Sequence, residues 1–170
     1  MLEETELKKI SVIFVLLWMA IIFYNSSNSY IISNEKSFGF LNILRDGKNI
    51  VLNKENVSQL SESENQLPQT LKEENLNVFI RKNAHAFEYI ILAILVSNML
   101  ILHGMRGRDA IIYILFISLF YAVSDEFHQL FVQGRGSSVS DVLIDFGGSL
   151  VGLGSYYLLK FQILSKKEHR

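Results

Sequence analysis

Three separate stretches of this sequence combine titratable side chains at helical spacing. In Arg81-Lys82-Asn83-Ala84-His85-Ala86-Phe87-Glu88-Tyr89, the residues Arg81, His85 and Glu88 stand four and three apart, on one face of a helix. Tyr121, Asp125 and His128 repeat that step, with Glu126 and Gln129 beside them. Asp141, Asp145, Gly148 and Gly152 continue the same spacing further along. His85, Glu88, Asp125, Glu126, His128 and Asp141 are candidates for proton transfer. Arg81, Lys82 and Arg135 are candidates for holding a phosphate, the arginines through bidentate contacts. Tyr89, Gln129 and Asp145 complete the candidate binding set.

Other chemistries fall away. The 170 residues carry 16 Lys+Arg against 17 Asp+Glu, so no bulk basic surface exists for nucleic acid. The absence of Cys removes disulfides, a thiolate zinc site and a cysteine nucleophile. The chain has no G-x-S-x-G elbow, no H-E-x-x-H helix and no G-x-x-x-x-G-K-[ST] phosphate loop. His85/Glu88 and Asp125/His128 are spaced to offer metal ligands from two helices, but no metal or other cofactor is expected.

The elements that must carry these side chains are apolar. Hydrophobic residues make up 49% of the chain and charged ones 19%, below the roughly 25% of soluble domains. Four apolar segments stand out, and the expected membrane spans are 9–27, 82–102, 109–131 and 139–161, in a single domain 1–170. The charge-free cores of the last three are only about 14 or 15 residues, about 21–23 Å long as helix. That length also suits a soluble bundle. The segments are apolar around their whole circumference, however, which favours lipid. The first segment has the outline of a signal peptide, but no A-x-A-like cleavage site follows it.

Charge sets the expected orientation. Lys8 and Lys9, then Arg106 and Arg108, then Lys160, Lys166, Lys167 and Arg170 fall on one side of a four-span chain. Only Arg135 stands in the short connection on the other side. The positive-inside rule makes both termini cytoplasmic and the polar loop 28–80 extracytoplasmic. Within that loop, Phe38 to Leu44 has the apolar content to lie on the membrane surface, and Ser58 to Gln69 has a disordered composition. The expected fold is therefore all-α: a polytopic membrane protein with four transmembrane helices and cytoplasmic termini.

This topology brings the charged ends of the second, third and fourth spans to one outer depth. Any single pair among them reads as a structural tie. The cluster as a whole reads as functional, since apolar residues hold helices together without desolvating charge. Arg81, Lys82 and Arg135 against Glu88, Asp125, Glu126, Asp141 and Asp145 sum to −2 with neutral histidines. Protonated carboxylates, protonated histidines or a bound cation would each close the deficit, and direct phosphate binding is the expected outcome. Gly148 and Gly152 form a Gly-x-x-x-Gly pair for close helix approach, either within the bundle or to a second copy.

The run from Arg81 to Tyr89 resembles the R-K-x-x-H-x-x-E-Y signature of VanZ-like membrane proteins. Ser124 to Arg135 with Asp141 and Asp145 resembles their S-D-E-x-x-Q-x-F-x-x-x-R…D-x-x-x-D segment, except that Gln133 stands where such proteins often have Pro. The resemblance covers the last three spans and, loosely, the Ser-rich end of the first. It implies a small polytopic protein of the bacterial cell membrane. The family is named for a member associated with low-level teicoplanin resistance, which opens a link with glycopeptide resistance without requiring one of every member. It brings no agreed reaction.

Three functions fit the residues. One is binding or modifying an anionic head group, of a lipid or a lipid-linked cell-wall precursor, at the outer leaflet. Another is a non-catalytic accessory or assembly role. The third is a proton-coupled carrier, which four spans permit only as an oligomer and which no inverted repeat supports. Binding and catalysis both stay open.

Overall fold

A computed structural model describes residues 2–28, 33, 35, 37–40, 42, 43 and 71–168. Four long helices run in order: α1 Leu2–Ser26, α2 Leu71–Leu102, α3 Gly107–Gln129 and α4 Val139–Glu168. No strand occurs among the described residues. Even the shortest helix, at 23 residues, is about 35 Å long, against about 30 Å of hydrocarbon. Each contains a stretch long and apolar enough to cross a membrane. Of the Phe38 to Leu44 segment, residues 38–40, 42 and 43 are helical, with Phe40 and Ile43 exposed. Ser58 to Gln69 lies outside the described residues.

The surface shows why these helices need lipid. Phe14, Leu16, Phe79, Phe116, Phe120, Phe127, Leu143 and Leu158 are all exposed. Water would not tolerate so much outward apolar area, whereas hydrocarbon does. Inside, Ile22, Leu92, Val96, Ile114, Ala122 and Leu153 form the apolar core.

Short connections fix the up-and-down order. α2 ends where Gly104 takes a φ of 93°. There the Met105 N–H bonds to the Leu100 carbonyl and the Gly104 N–H to the Ile101 carbonyl, both at 3.0 Å. This pair of bonds is a Schellman stop. α4 starts at Ser138, whose hydroxyl accepts the Ser140 N–H at 3.2 Å as an N-cap. The other end of α2 differs from a minimal span. It begins at Leu71 because residues 71–81 contain neither Gly nor Pro to stop the helix.

Packing centres on α2, which touches all three other helices and meets α4 most extensively. Among the described residues α1 contacts α2 and α3 but not α4. Gly148 and Gly152 make the close α2–α4 approach possible. A Cβ at either would overlap a backbone carbonyl of α2, at Ala86 or Ile90. The Gly-x-x-x-Gly pair thus meets α2 of the same chain. α1 is tied through side chains. Trp18 Nε1 donates to the Glu88 carbonyl at 2.9 Å, and the Tyr121 hydroxyl donates to the Met19 carbonyl at 2.5 Å.

Candidate functional site

The antiparallel order puts the C-terminal ends of α1 and α3 beside Arg81 of α2 and the start of α4. Charged side chains from three helices then share one end of the bundle with a polar run from the fourth. Most are held in place by specific partners.

On α3, Asp125 and Glu126 are 2% and 3% exposed, so each carboxylate depends on protein donors. Asp125 Oδ2 accepts from the Ser26 hydroxyl at 2.8 Å and from Gln129 Nε2 at 3.1 Å. Glu126 Oε1 accepts the Ser138 N–H at 2.5 Å, at the start of α4. The two adjacent carboxylates therefore serve opposite neighbours, one tying α3 to α1 and the other to α4.

On α2, Lys82 pairs with Asp141 of α4 at 2.5 Å, both side chains about one-third exposed. His85 Nδ1 lies 3.4 Å from Glu88 Oε2, a distance for charge attraction and too long for a good hydrogen bond. Glu88 Oε1 is fixed from the other side by Asn25 Nδ2 at 2.7 Å. Tyr89 is fully buried, with its ring 6.1 Å from that of Tyr121.

Arg135 reaches inward from the α3–α4 connection, just after Gly134 at a φ of 77°. Its Nη1 donates to the Ser26 carbonyl at 3.3 Å, and its Nη2 donates to the Ser33 hydroxyl. Its Nε is buried and has no hydrogen-bond partner among the described residues. Burial and the nearby Arg81 guanidinium lower the Arg135 pKa. An arginine still remains a cation there.

Two cavities flank Arg81 and His85. The first, of about 230 Å³, lies between α2, the α3–α4 connection and α4. Its charged wall is Arg81, Lys82 and Arg135 with Glu126, Asp141 and Asp145, and Gln129 and His85 complete the polar lining. The second, of about 190 Å³, is bounded by Asn25, Asn28, Ser33 and Ser37 with Arg81, His85 and Glu88. Three cations thus face three carboxylates in the first cavity. The acidic excess counted over the whole cluster comes from Glu88 and Asp125, which do not line it and are held by neutral donors.

The remaining candidates divide accordingly. Asp125 and Tyr89 lie in the packed layer and line neither cavity. His128 is also apart from both. Its ring stacks on Phe23 with centroids 4.1 Å apart, and its Nε2 is 3.1 Å from Ser27 Oγ. Tyr121, Asp125 and His128 do share a face, and that face meets α1. Among the described residues no three His, Asp or Glu side chains converge closely enough to hold a metal ion.

Asn25, Ser26 and Ser33 are the residues that motif spacing missed. Each supplies a partner to Glu88, Asp125 or Arg135. The available signal was the polar run after the first apolar segment, ending on the same side as the motifs.

Fold and site together define a multi-pass α-helical membrane protein with a charge-lined cavity at one end of its bundle. A family model described as VanZ/LLP1 matches residues 11–160. The chain belongs to the VanZ/LLP1 family. No curated protein matches it, and no solved structure does.

Proposed function

We propose that the charged end faces away from the cytoplasm and binds the phosphate of an anionic membrane head group, of a phospholipid or a lipid-linked wall precursor. The observation that carries this reading is the cavity of about 230 Å³ with Arg81, Lys82 and Arg135 around it. A water occupies about 30 Å³ of liquid, so the space admits a phosphate group with some hydration. The cavity lies toward one end of the candidate membrane-spanning helices, and lipid phosphates lie near where such helices leave the hydrocarbon. The buried Arg135 Nε–H supplies a donor that lacks an acceptor among the described residues. Clustered positive charge at the opposite end supports the orientation.

One observation supports a second reading, in which the bound group is also modified. His85 lines the cavity while Glu88, braced by Asn25, stands behind its ring. A histidine backed by a carboxylate is suited to accept a proton. A bearing on teicoplanin follows where the head group belongs to a wall precursor.

The test is retention of phosphatidylglycerol against diacylglycerol by purified protein, read by native mass spectrometry. The protein should retain the phospholipid, and Arg135→Gln should weaken retention about 10- to 100-fold, the effect of losing a charged hydrogen bond. Equal retention of both lipids refutes the reading. So does an Arg135→Gln variant that melts early yet keeps its lipid, because Arg135 would then be only a tie.

A further inference from the structure

The second cavity differs from the first in chemistry. Its wall adds two amides, Asn25 and Asn28, and two hydroxyls, Ser33 and Ser37, to the shared Arg81 and His85. Arg81 and Glu88 offset each other, so the space carries no net charge with neutral His85. Much of its donor capacity is already committed. Asn25 Nδ2 is given to Glu88, Asn28 Nδ2 to the Tyr24 and Asn25 carbonyls, and the Ser37 hydroxyl to the Ser33 carbonyl. Among the described residues the remainder is mixed: acceptors in the side-chain carbonyls of the two asparagines and in Glu88 Oε2, which has only His85 Nδ1 near it at 3.4 Å, and a donor in the Ser33 hydroxyl, which accepts from Arg135.

Donors and acceptors together around a space without net charge call for neutral groups that do both, and hydroxyl groups are the simplest. Because Arg81 and His85 form a wall of both cavities, one ligand can lie across them.

We infer that the second cavity is a subsite for the hydroxylated part of a phosphodiester head group, a glycerol or sugar moiety whose phosphate occupies the first. This rests on the phosphate reading above and narrows the ligand to polyol phosphodiesters. Ala84 is the residue to perturb. It is exposed and lines only the second cavity, so Ala84→Leu fills that space without removing a polar group.

The experiment compares three probes in detergent by native mass spectrometry: phosphatidylglycerol, phosphatidylmethanol and phosphatidylethanolamine with identical acyl chains. The first two carry the same charge and differ in the glycerol hydroxyls. The protein should prefer phosphatidylglycerol over phosphatidylmethanol about tenfold, the effect of one or two neutral hydrogen bonds. Ala84→Leu should abolish that preference and leave phosphatidylmethanol binding unchanged, and Ser37→Ala should reduce it. Equal binding of phosphatidylglycerol and phosphatidylmethanol overturns the subsite and leaves the phosphate reading standing. A preference for phosphatidylethanolamine overturns it in favour of an ammonium subsite. Failure of all three to bind removes the phosphate reading itself.

Discussion

Ser26 and Ser27 look interchangeable in the sequence and are not so in the structure. Ser26 is fully buried and its hydroxyl donates to Asp125, while Ser27 is exposed and reaches His128. Ser26→Ala removes a donor from a buried carboxylate and should cost about 1–3 kcal/mol. Ser27→Ala should stay within about 0.5 kcal/mol, as surface changes do. Thermal unfolding of the two variants in the same detergent checks the difference. The same contrast marks how far residue-level reading goes. Arg81, His85 and Glu88 were legible as one face because helical spacing alone decides it. The different environments of Asp125 and Glu126 were not, since adjacent residues on a helix point about 100° apart and only the neighbours reveal toward what. His128 shares the Asp125 face, yet that face meets α1 and not the cavities. Spacing gives a common face and is silent on what the face meets.

Four apolar segments were enough to expect four helices, because a span is a matter of length and composition. Their partners were harder to read. The Gly148/Gly152 pair signals a close approach without naming what approaches, and the structure supplies α2 of the same chain. Gly148→Ala should force α2 and α4 apart and cost about 1–3 kcal/mol, the usual penalty of overpacking. Gly147→Ala meets nothing within 4 Å and should be neutral or mildly stabilising. Unfolding midpoints of the two neighbours separate these outcomes, and equal midpoints would mean that the close contact carries no weight. The contribution of α1 had the weakest signal of all. Its polar end contains no charged residue between Lys9 and Glu35, so no motif search stops there. Buried carboxylates need donors, however, and Asn25 and Ser26 provide them.

At the scale of the whole molecule, the up-and-down order assigns every connection to one of two ends. His103 is exposed at the end carrying Arg106 and Arg108, and Ser137 is exposed at the charged-cavity end. The chain has no native Cys, so His103→Cys and Ser137→Cys are clean reporters. In intact cells a membrane-impermeant thiol reagent should label the cysteine at 137 and spare that at 103, and the reverse pattern would invert the orientation.

The opposed bonds of Asp125 and Glu126 also set an order of assembly during synthesis. Ser26 belongs to α1, which is made before α3, and is waiting when Asp125 arrives. Ser138 belongs to the stretch made next, so Glu126 enters the bundle before its donor exists. A chain halted between the two helices would hold Asp125 with its donor and Glu126 still without its own at a lipid boundary, where an unshielded charge is costly. Glu126 thereby reports whether α4 has joined the bundle.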